Sequence, residues 1–409
     1  MTRPTRRQGP RPLPVHLASA VTAWTTSRAA LPLLKRGSLP WRPELAGAAD
    51  ALRRSLAEIA PEDFADAVDR ELRARADAFL SGIERYRAHP YRRAVAEAPV
   101  LWQEGSTRLL DYGAGAHDGR AVLVVPSLIN RAYILDLTQE KSLLRFLAGQ
   151  GLRPLLVDWG RPSAVERGFT LSDYIAGRLE AAAAAAVDVV GRPLGVVGYC
   201  MGGLLALALA QRRPPLVKAL ALLATPWDFH AERAGQARLL GALAEPLSRS
   251  FGALGELPVD VLQLLFAGLD PLLALRKFIR LAGLPKGSVE ERDFVALEDW
   301  LNDGVPLALP TARECLAQWY GANAPAAGGW RVAGVPIEPA RLRQPSLVVV
   351  PAQDRIVPPA SAAALAAALP HAESLAPALG HIGMMVARNA PDAVWRPLAA
   401  WLARHAAKH

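Results

Sequence analysis

Residues Leu194–Ala210 constrain this 409-residue chain more than any other stretch. The apolar run Leu194–Val197, rich in β-branched residues, reaches Gly198 and breaks at Cys200. The pair Gly202-Gly203 then leads into an unbroken Ala/Leu run from Leu204 to Ala210. A short buried strand that passes straight into a helix forces the residue between them into a tight turn. Gly198 and Gly202 flank that turn, where a side chain would meet the neighbouring strand or helix. Cys200 falls at the N-terminus of the helix, whose partial positive charge favours the thiolate, the reactive form of cysteine. The competing reading is a plain glycine turn with Cys200 as a small core residue, because short glycine motifs recur by accident. The rest of the chain decides between the two.

Strands and helices alternate on both sides of this stretch. Ala121–Pro126 reads as a buried strand, Lys141–Ala148 as a helix stopped at Gly149, and Arg153–Trp159 as the next strand. Leu171–Val190 is a helix with a poly-Ala run, and Leu216–Ala224 is a strand that ends at Thr225-Pro226. Such alternation gives a mostly parallel sheet with helices on both faces. In that setting, Gly198-Tyr199-Cys200-Met201-Gly202 resembles the nucleophile elbow of α/β-hydrolases, with Cys in place of Ser. The expectation is therefore an α/β-hydrolase fold. Residues 227–340 interrupt the rhythm with helical segments punctuated by Pro258, Pro271, Pro285, Pro306 and Pro310. An insertion there lies over the C-terminal edge of the sheet and reads as a helical cap. The sheet resumes at Ser346–Pro351, ends near Leu375–Leu379, and is followed by a last helix, Asp392–Ala407.

The expected domains are 1–90, a basic arm with N-terminal helices, and 91–409, the catalytic domain with its cap at about 227–340. Residues 1–40 read as a flexible, Pro-containing arm. From Pro43 to about Ala88, apolar residues recur at three- and four-residue steps, and Pro61 divides two helices. These helices read as packing elements, with a partner-binding or granule-binding arm as the alternative. At about 150 residues per domain the length points to two or three domains, although α/β sheets run longer as one unit. With 51% of residues hydrophobic, the chain can bury a large core. Two cysteines rule against a disulfide framework and fit a reducing compartment. Arg6-Arg7 opens a segment too polar for export, and no apolar run approaches about 18 residues, so the expectation is a cytoplasmic chain with no membrane span. The net charge of +9 suits anionic partners such as a CoA ester. No dense basic patch with interleaved aromatics argues for nucleic acid.

An elbow nucleophile needs a general base and a carboxylate to hold it, and in α/β-hydrolases these follow in the order nucleophile, acid, His. Asp354 sits in the loop after the strand Ser346–Pro351, and His381 in the small-residue loop Gly380–Gly383. Each alone is an ordinary loop residue; together, in this order, Cys200, Asp354 and His381 read as a catalytic triad. The oxyanion hole would be the backbone N–H of Met201 with one from the loop Pro126–Asn130. There Ser127, Leu128 and Ile129 stay open, and Leu128 is the residue assigned. His230 precedes the cap, which is the wrong chain order, and reads as structural or substrate-adjacent. Asp136, Asp158, Asp228 and Asp303 are further carboxylates able to line a cleft. Cys315 reads as a packed core thiol. No cluster has metal-ligand spacing and no phosphate-binding loop is present, so neither a metal nor a cofactor is expected.

Four stretches together resemble the polyhydroxyalkanoate (poly-3-hydroxybutyrate) synthases: Val125–Leu137, Gly198–Gly203, Gln353–Pro358 and Gly380–Ile382. The segments Glu298–Asp303 and Leu309-Pro310 are similar to the cap region of that family, and the likeness covers roughly residues 90–400. The resemblance implies polymerisation of (R)-3-hydroxyacyl-CoA into polyester through cysteine thioesters, with release of CoA, at the surface of intracellular granules. By motif its nucleophile falls on Cys200, its base on His381 and its acid on Asp354. It also implies an acyl-CoA substrate, a polyester product, and a second synthase subunit or a homodimer, because the N-terminal region is short. The segment from Gly383 to Asn389 departs from the usual wording of the family. The alternatives are an intracellular polyhydroxyalkanoate depolymerase or thioesterase with the same triad, and a catalytically silent granule protein.

Overall fold

The computed structural model describes residues 7–41, 43–113 and 120–405. The basic residues at positions 3 and 6 and the end of the last expected helix lie outside them. The chain divides into two compact units, one formed by residues 1–92 with 263–302 and the other by 93–262 with 303–409.

The larger unit is built on an eight-stranded sheet. Its strands are β1 (Val100–Glu104), β2 (Thr107–Asp111), β3 (Arg120–Val125), β4 (Leu152–Asp158), β5 (Leu194–Tyr199), β6 (Val217–Leu223), β7 (Ser346–Val349) and β8 (Ala372–Leu375). Their spatial order is β1-β2-β4-β3-β5-β6-β7-β8. From β4 to β8 every pairing is parallel, while β1 and β2 form a hairpin that adds antiparallel to β4. The inner strands are continuous apolar runs because both of their faces are covered. The helix Met201–Arg212 is buried along Met201–Ala210, and its small Ala residues let it lie close to the sheet. The helix expected over Leu171–Val190 is a π-helical segment, Asp173–Leu179, running into the α-helix Glu180–Val190, which holds the poly-Ala run. The helix after β3 is Leu143–Gly149, N-capped by Ser142, whose hydroxyl accepts the Arg145 N–H. The last helix is Arg396–His405, preceded by the π turn Pro391–Trp395.

The smaller unit packs the helices Leu13–Arg28, Pro61–Ala88 and Leu273–Gly283 around Ala20, Phe79, Ile83, Tyr86, Phe278, Leu281 and Val295. Pro61 occupies the first turn of its helix, with Glu62 and Asp63 beside it where the dipole favours acids. The helix Val289–Asn302 closes the unit with ion pairs: Arg85 donates to Glu291 at 2.6 Å and Arg7 to Asp299 at 2.6 Å.

Two expectations need correction or redrawing here. The arm expected over 1–40 is helical across Leu13–Arg28 and Leu31–Arg36, because Leu13, Leu17, Ala20 and Trp24 recur at helical spacing and pack on the core of the smaller unit. The expected bounds 1–90, 91–409 and 227–340 also differ from the compact units, since 263–302 joins the N-terminal helices. Between β6 and β7, the parts of the insertion in the larger unit include the helices Ala234–Ala242, Ala244–Phe251 and Leu309–Glu314 and the π turn Cys315–Gly321. Trp227, Phe229, Trp319, Tyr320 and Trp330 form an aromatic cluster there, with ring centroids 5.0–6.4 Å apart.

Candidate active site

Cys200 stands between β5 and its helix with φ 56° and ψ −129°, a backbone conformation that residues with a Cβ rarely adopt. The turn is held by two hydrogen bonds: Cys200 N–H donates to Leu223 O at 2.9 Å and Gly203 N–H to Cys200 O at 2.9 Å. The glycines around it answer to close approach. A Cβ on Gly198 would strike the backbone of Gly203, and one on Gly202 would strike the carbonyls of Val125 and Pro126. The loop after β3 is therefore pressed against the elbow. Trp159 Nε1 donates to Pro126 O at 3.1 Å and fixes the loop from its other side.

The strand ends bring Cys200, His381 and Asp354 together. Asp354 follows β7, and its Oδ1 accepts the N–H groups of Ile356 at 2.8 Å and Val357 at 2.9 Å, which locks the carboxylate. Its Oδ2 lies 2.7 Å from His381 Nδ1, so that nitrogen carries the proton and donates it. Cys200 lies against the imidazole, where its charge and a side-chain hydrogen bond both act on it. His381 and Asp354 are 7% and 6% exposed, and Cys200 is only partly covered. Burial disfavours a charged imidazole, but the negative charge of Cys200, the Asp354 hydrogen bond and the Asp354 charge outweigh it and raise His381 to about 10. The arrangement sets a thiol against a base that a carboxylate holds in place, the set that nucleophilic attack on a thioester carbonyl requires.

Met201 is the first residue of its helix, and the N–H groups of a first turn have no acceptor inside the helix. In the loop after β3, Ser127 Oγ accepts the Ile129 N–H at 3.0 Å, so the choice for a second free donor narrows to Ser127 and Leu128.

The other sequence candidates are engaged elsewhere. His230 Nε2 lies 2.8 Å from Tyr320 O, and its N–H donates to Asp228, which also accepts from Asn323. Asp136 is a buried anchor bound by Arg93, Arg145 and the Tyr112 phenol. Asp158 pairs with Arg108 at 2.7 Å and Asp303 with Arg131 at 3.6 Å. Cys315 is buried in apolar surroundings that push its thiol up, the opposite of what a nucleophile needs. Among the described residues no group of His, Cys, Asp and Glu is placed to hold a metal ion, and no helix is long and apolar enough to cross a membrane.

The sequence reading passed over two tyrosines. Tyr199, inside the elbow motif, lies beside His381. Tyr320 sits in the π turn Cys315–Gly321, where burial first, and then the nearby Cys200 and Cys315, keep its phenol protonated. Position within the motif was a signal for Tyr199; nothing in an apolar helical segment distinguishes Tyr320.

Comparison with known proteins bears on the family and the fold. Residues 92–147 match the family described as the N-terminus of poly-beta-hydroxybutyrate polymerase (PhaC), and residues 158–387 match the alpha/beta hydrolase fold. The chain is 31% identical over 296 residues to the poly(3-hydroxyalkanoate) polymerase subunit PhaC of Synechocystis sp., covering 69% of this chain and 77% of that one. It is 29% identical over 322 residues to the protein of the same name from Allochromatium vinosum, covering 75% and 88%. With the one from Haloferax mediterranei the identity is 30% over 323 residues, 76% of this chain but 65% of the relative's length. Among solved structures, a putative non-heme bromoperoxidase of Mycobacterium tuberculosis superposes with a TM-score of 0.50 at 20% identity, over 77% of this chain and 99% of that one, a likeness of fold alone. With a Cys-centred elbow on a mostly parallel sheet and these relatives, the chain belongs to the poly(3-hydroxyalkanoate) polymerase family, built on the α/β-hydrolase fold.

Proposed function

We propose that this protein polymerises (R)-3-hydroxyacyl-CoA into polyester and carries the growing acyl chain as a thioester on Cys200. The observation that carries the reading is the contact of Cys200 with His381 and of His381 with Asp354, in a chain of this family. The Cys200 thiolate attacks the thioester carbonyl, the oxyanion is met by the N–H groups of Met201 and Leu128, and the bond to sulfur breaks with CoA as the leaving group. One thioester replaces another, so little acyl-transfer potential is lost. The hydroxyl of the next monomer then loses its proton to His381, directly or with Asp354 taking part, and attacks the stored acyl group. The bond to the Cys200 sulfur breaks, and the freed thiolate takes the lengthened chain back from its CoA ester, so that CoA leaves. No cofactor enters this scheme, and the CoA ester is substrate. The relatives are named as subunits, which supports a second subunit or a second copy as partner. Growth of an insoluble product puts the working protein at a polyester granule surface.

The test mixes purified protein with 3-hydroxybutyryl-CoA, follows free CoA, and analyses the product beside Cys200→Ala. Polymer formed with CoA release, both absent from the variant, is the expected result. Release with only free 3-hydroxybutyrate identifies a depolymerase-like or thioesterase-type hydrolase instead. Lack of release even when a partner synthase subunit is supplied makes the chain a catalytically silent member of its family.

A further inference from the structure

His381 lies on an intrinsically loose piece of backbone, between Gly380 and Gly383. The residues around it are tied within the loop: Met384 N–H donates to Gly380 O at 3.2 Å and Met385 N–H to Ile382 O at 2.9 Å. The carbonyl of His381 itself accepts instead from the phenol of Tyr199, at 3.2 Å, across 182 positions of sequence. The Tyr199 ring lies beside the imidazole, with centroids 5.1 Å apart and planes tilted by 31°. Tyr199 is also the last residue of β5 and the covalent neighbour of Cys200, in register with Leu223 of β6. One rigid strand end therefore holds the nucleophile through the main chain and the base through a side chain.

We infer that Tyr199 is a positioning residue that ties the His381 loop to the strand end carrying Cys200 and so fixes the imidazole against the thiol. The assignment rests on reading Cys200, His381 and Asp354 as the reacting set. Burial, with the charges of Cys200 and Asp354 adding to it, pushes the Tyr199 phenol well above its ordinary range, so the group stays a donor at working pH. The hydroxyl anchors the loop backbone, while the ring limits how far the imidazole can swing. Tyr199→Phe removes the first function and keeps the second; Tyr199→Leu removes both.

The experiment compares wild type, Tyr199→Phe and Tyr199→Leu by steady-state turnover of 3-hydroxybutyryl-CoA. It also follows the rate at which iodoacetamide alkylates Cys200 at neutral pH, located by peptide mass, and the melting temperature. For Tyr199→Phe the expected result is a kcat lower by about tenfold, what one neutral hydrogen bond converts to, with KM within about twofold. Alkylation of Cys200 should slow by about threefold, because a base that wanders stabilises less thiolate. Tyr199→Leu should lower both further. Wild-type kcat and alkylation rate in Tyr199→Phe overturn the inference. So does a loss in both variants that merely follows the fraction unfolded. If the wild type releases no CoA, the proposed function fails, yet the alkylation rates still decide the role of Tyr199.

Discussion

At the residue scale, the proposed chemistry turns on a thiol held in a strained turn and an imidazole held by the Asp354 carboxylate. Replacing Cys200 by Ser keeps the shape and loses the soft nucleophile, so acylation by 3-hydroxybutyryl-CoA should fall by at least about a thousandfold, measured in single-turnover CoA release. Asp354→Asn leaves an amide where the carboxylate fixes the Nδ1 proton, and kcat should fall on the order of a thousandfold with folding intact by circular dichroism. The electrostatics carry their own sign. Burial alone would lower the pKa of His381, and Cys200 is the largest of the influences that raise it to about 10. Cys200→Ala removes that influence, so NMR titration of His381 should move from near 10 toward neutrality. An unchanged titration would mean that the two side chains do not share a proton network. The four sequence-picked carboxylates outside the triad illustrate the limit of residue type as a guide. Asp136, Asp158, Asp228 and Asp303 are all occupied by Arg, Tyr, Asn or backbone donors, and only three-dimensional placement reveals that.

Elements differ in how clearly the sequence announces them. Strands β3 to β7 were legible to within one or two residues, because continuous apolar runs bounded by Gly and Pro leave little choice. The elbow was legible in full, since its glycines are demanded by backbone approach rather than by taste. The hairpin β1–β2 was not foreseen: Thr107–Asp111 alternates buried and half-buried residues over only five positions, too short to stand out from a loop. The helices within 1–40 were hidden by their prolines and arginines, although Pro14 stands in the first turn of the first of them, where a proline costs no helical hydrogen bond. Helix crossings in the smaller unit depend on Gly82, where an added Cβ would strike the Phe278 carbonyl. Gly82→Ala should therefore cost about 1–3 kcal/mol of stability despite its better helix propensity, seen as a lower denaturation midpoint. A gain in stability would show that the two helices can part without loss.

For the whole molecule, the bounds of the compact units were the least legible feature. Along the sequence, residues 263–302 come after the N-terminal helices and six of the eight sheet strands, and no local pattern states that Phe278 will pack on Phe79 and Tyr86. The composition does speak to encounter with substrate. A chain carrying +9 net charge should attract an anionic CoA ester at long range, and kcat/KM should fall severalfold as salt rises from about 0.05 to about 0.5 M, with kcat nearly constant. Salt independence would leave the charge without a part in substrate capture. The central claim, that Cys200 carries the acyl chain, is tested most directly by the intact mass of the protein after brief mixing with 3-hydroxybutyryl-CoA and acid quench. The account predicts a series of hydroxybutyryl adducts mapped to the Cys200 peptide, sensitive to hydroxylamine and absent from Cys200→Ala. Turnover with no adduct on Cys200, or adducts that persist in the variant, would contradict it.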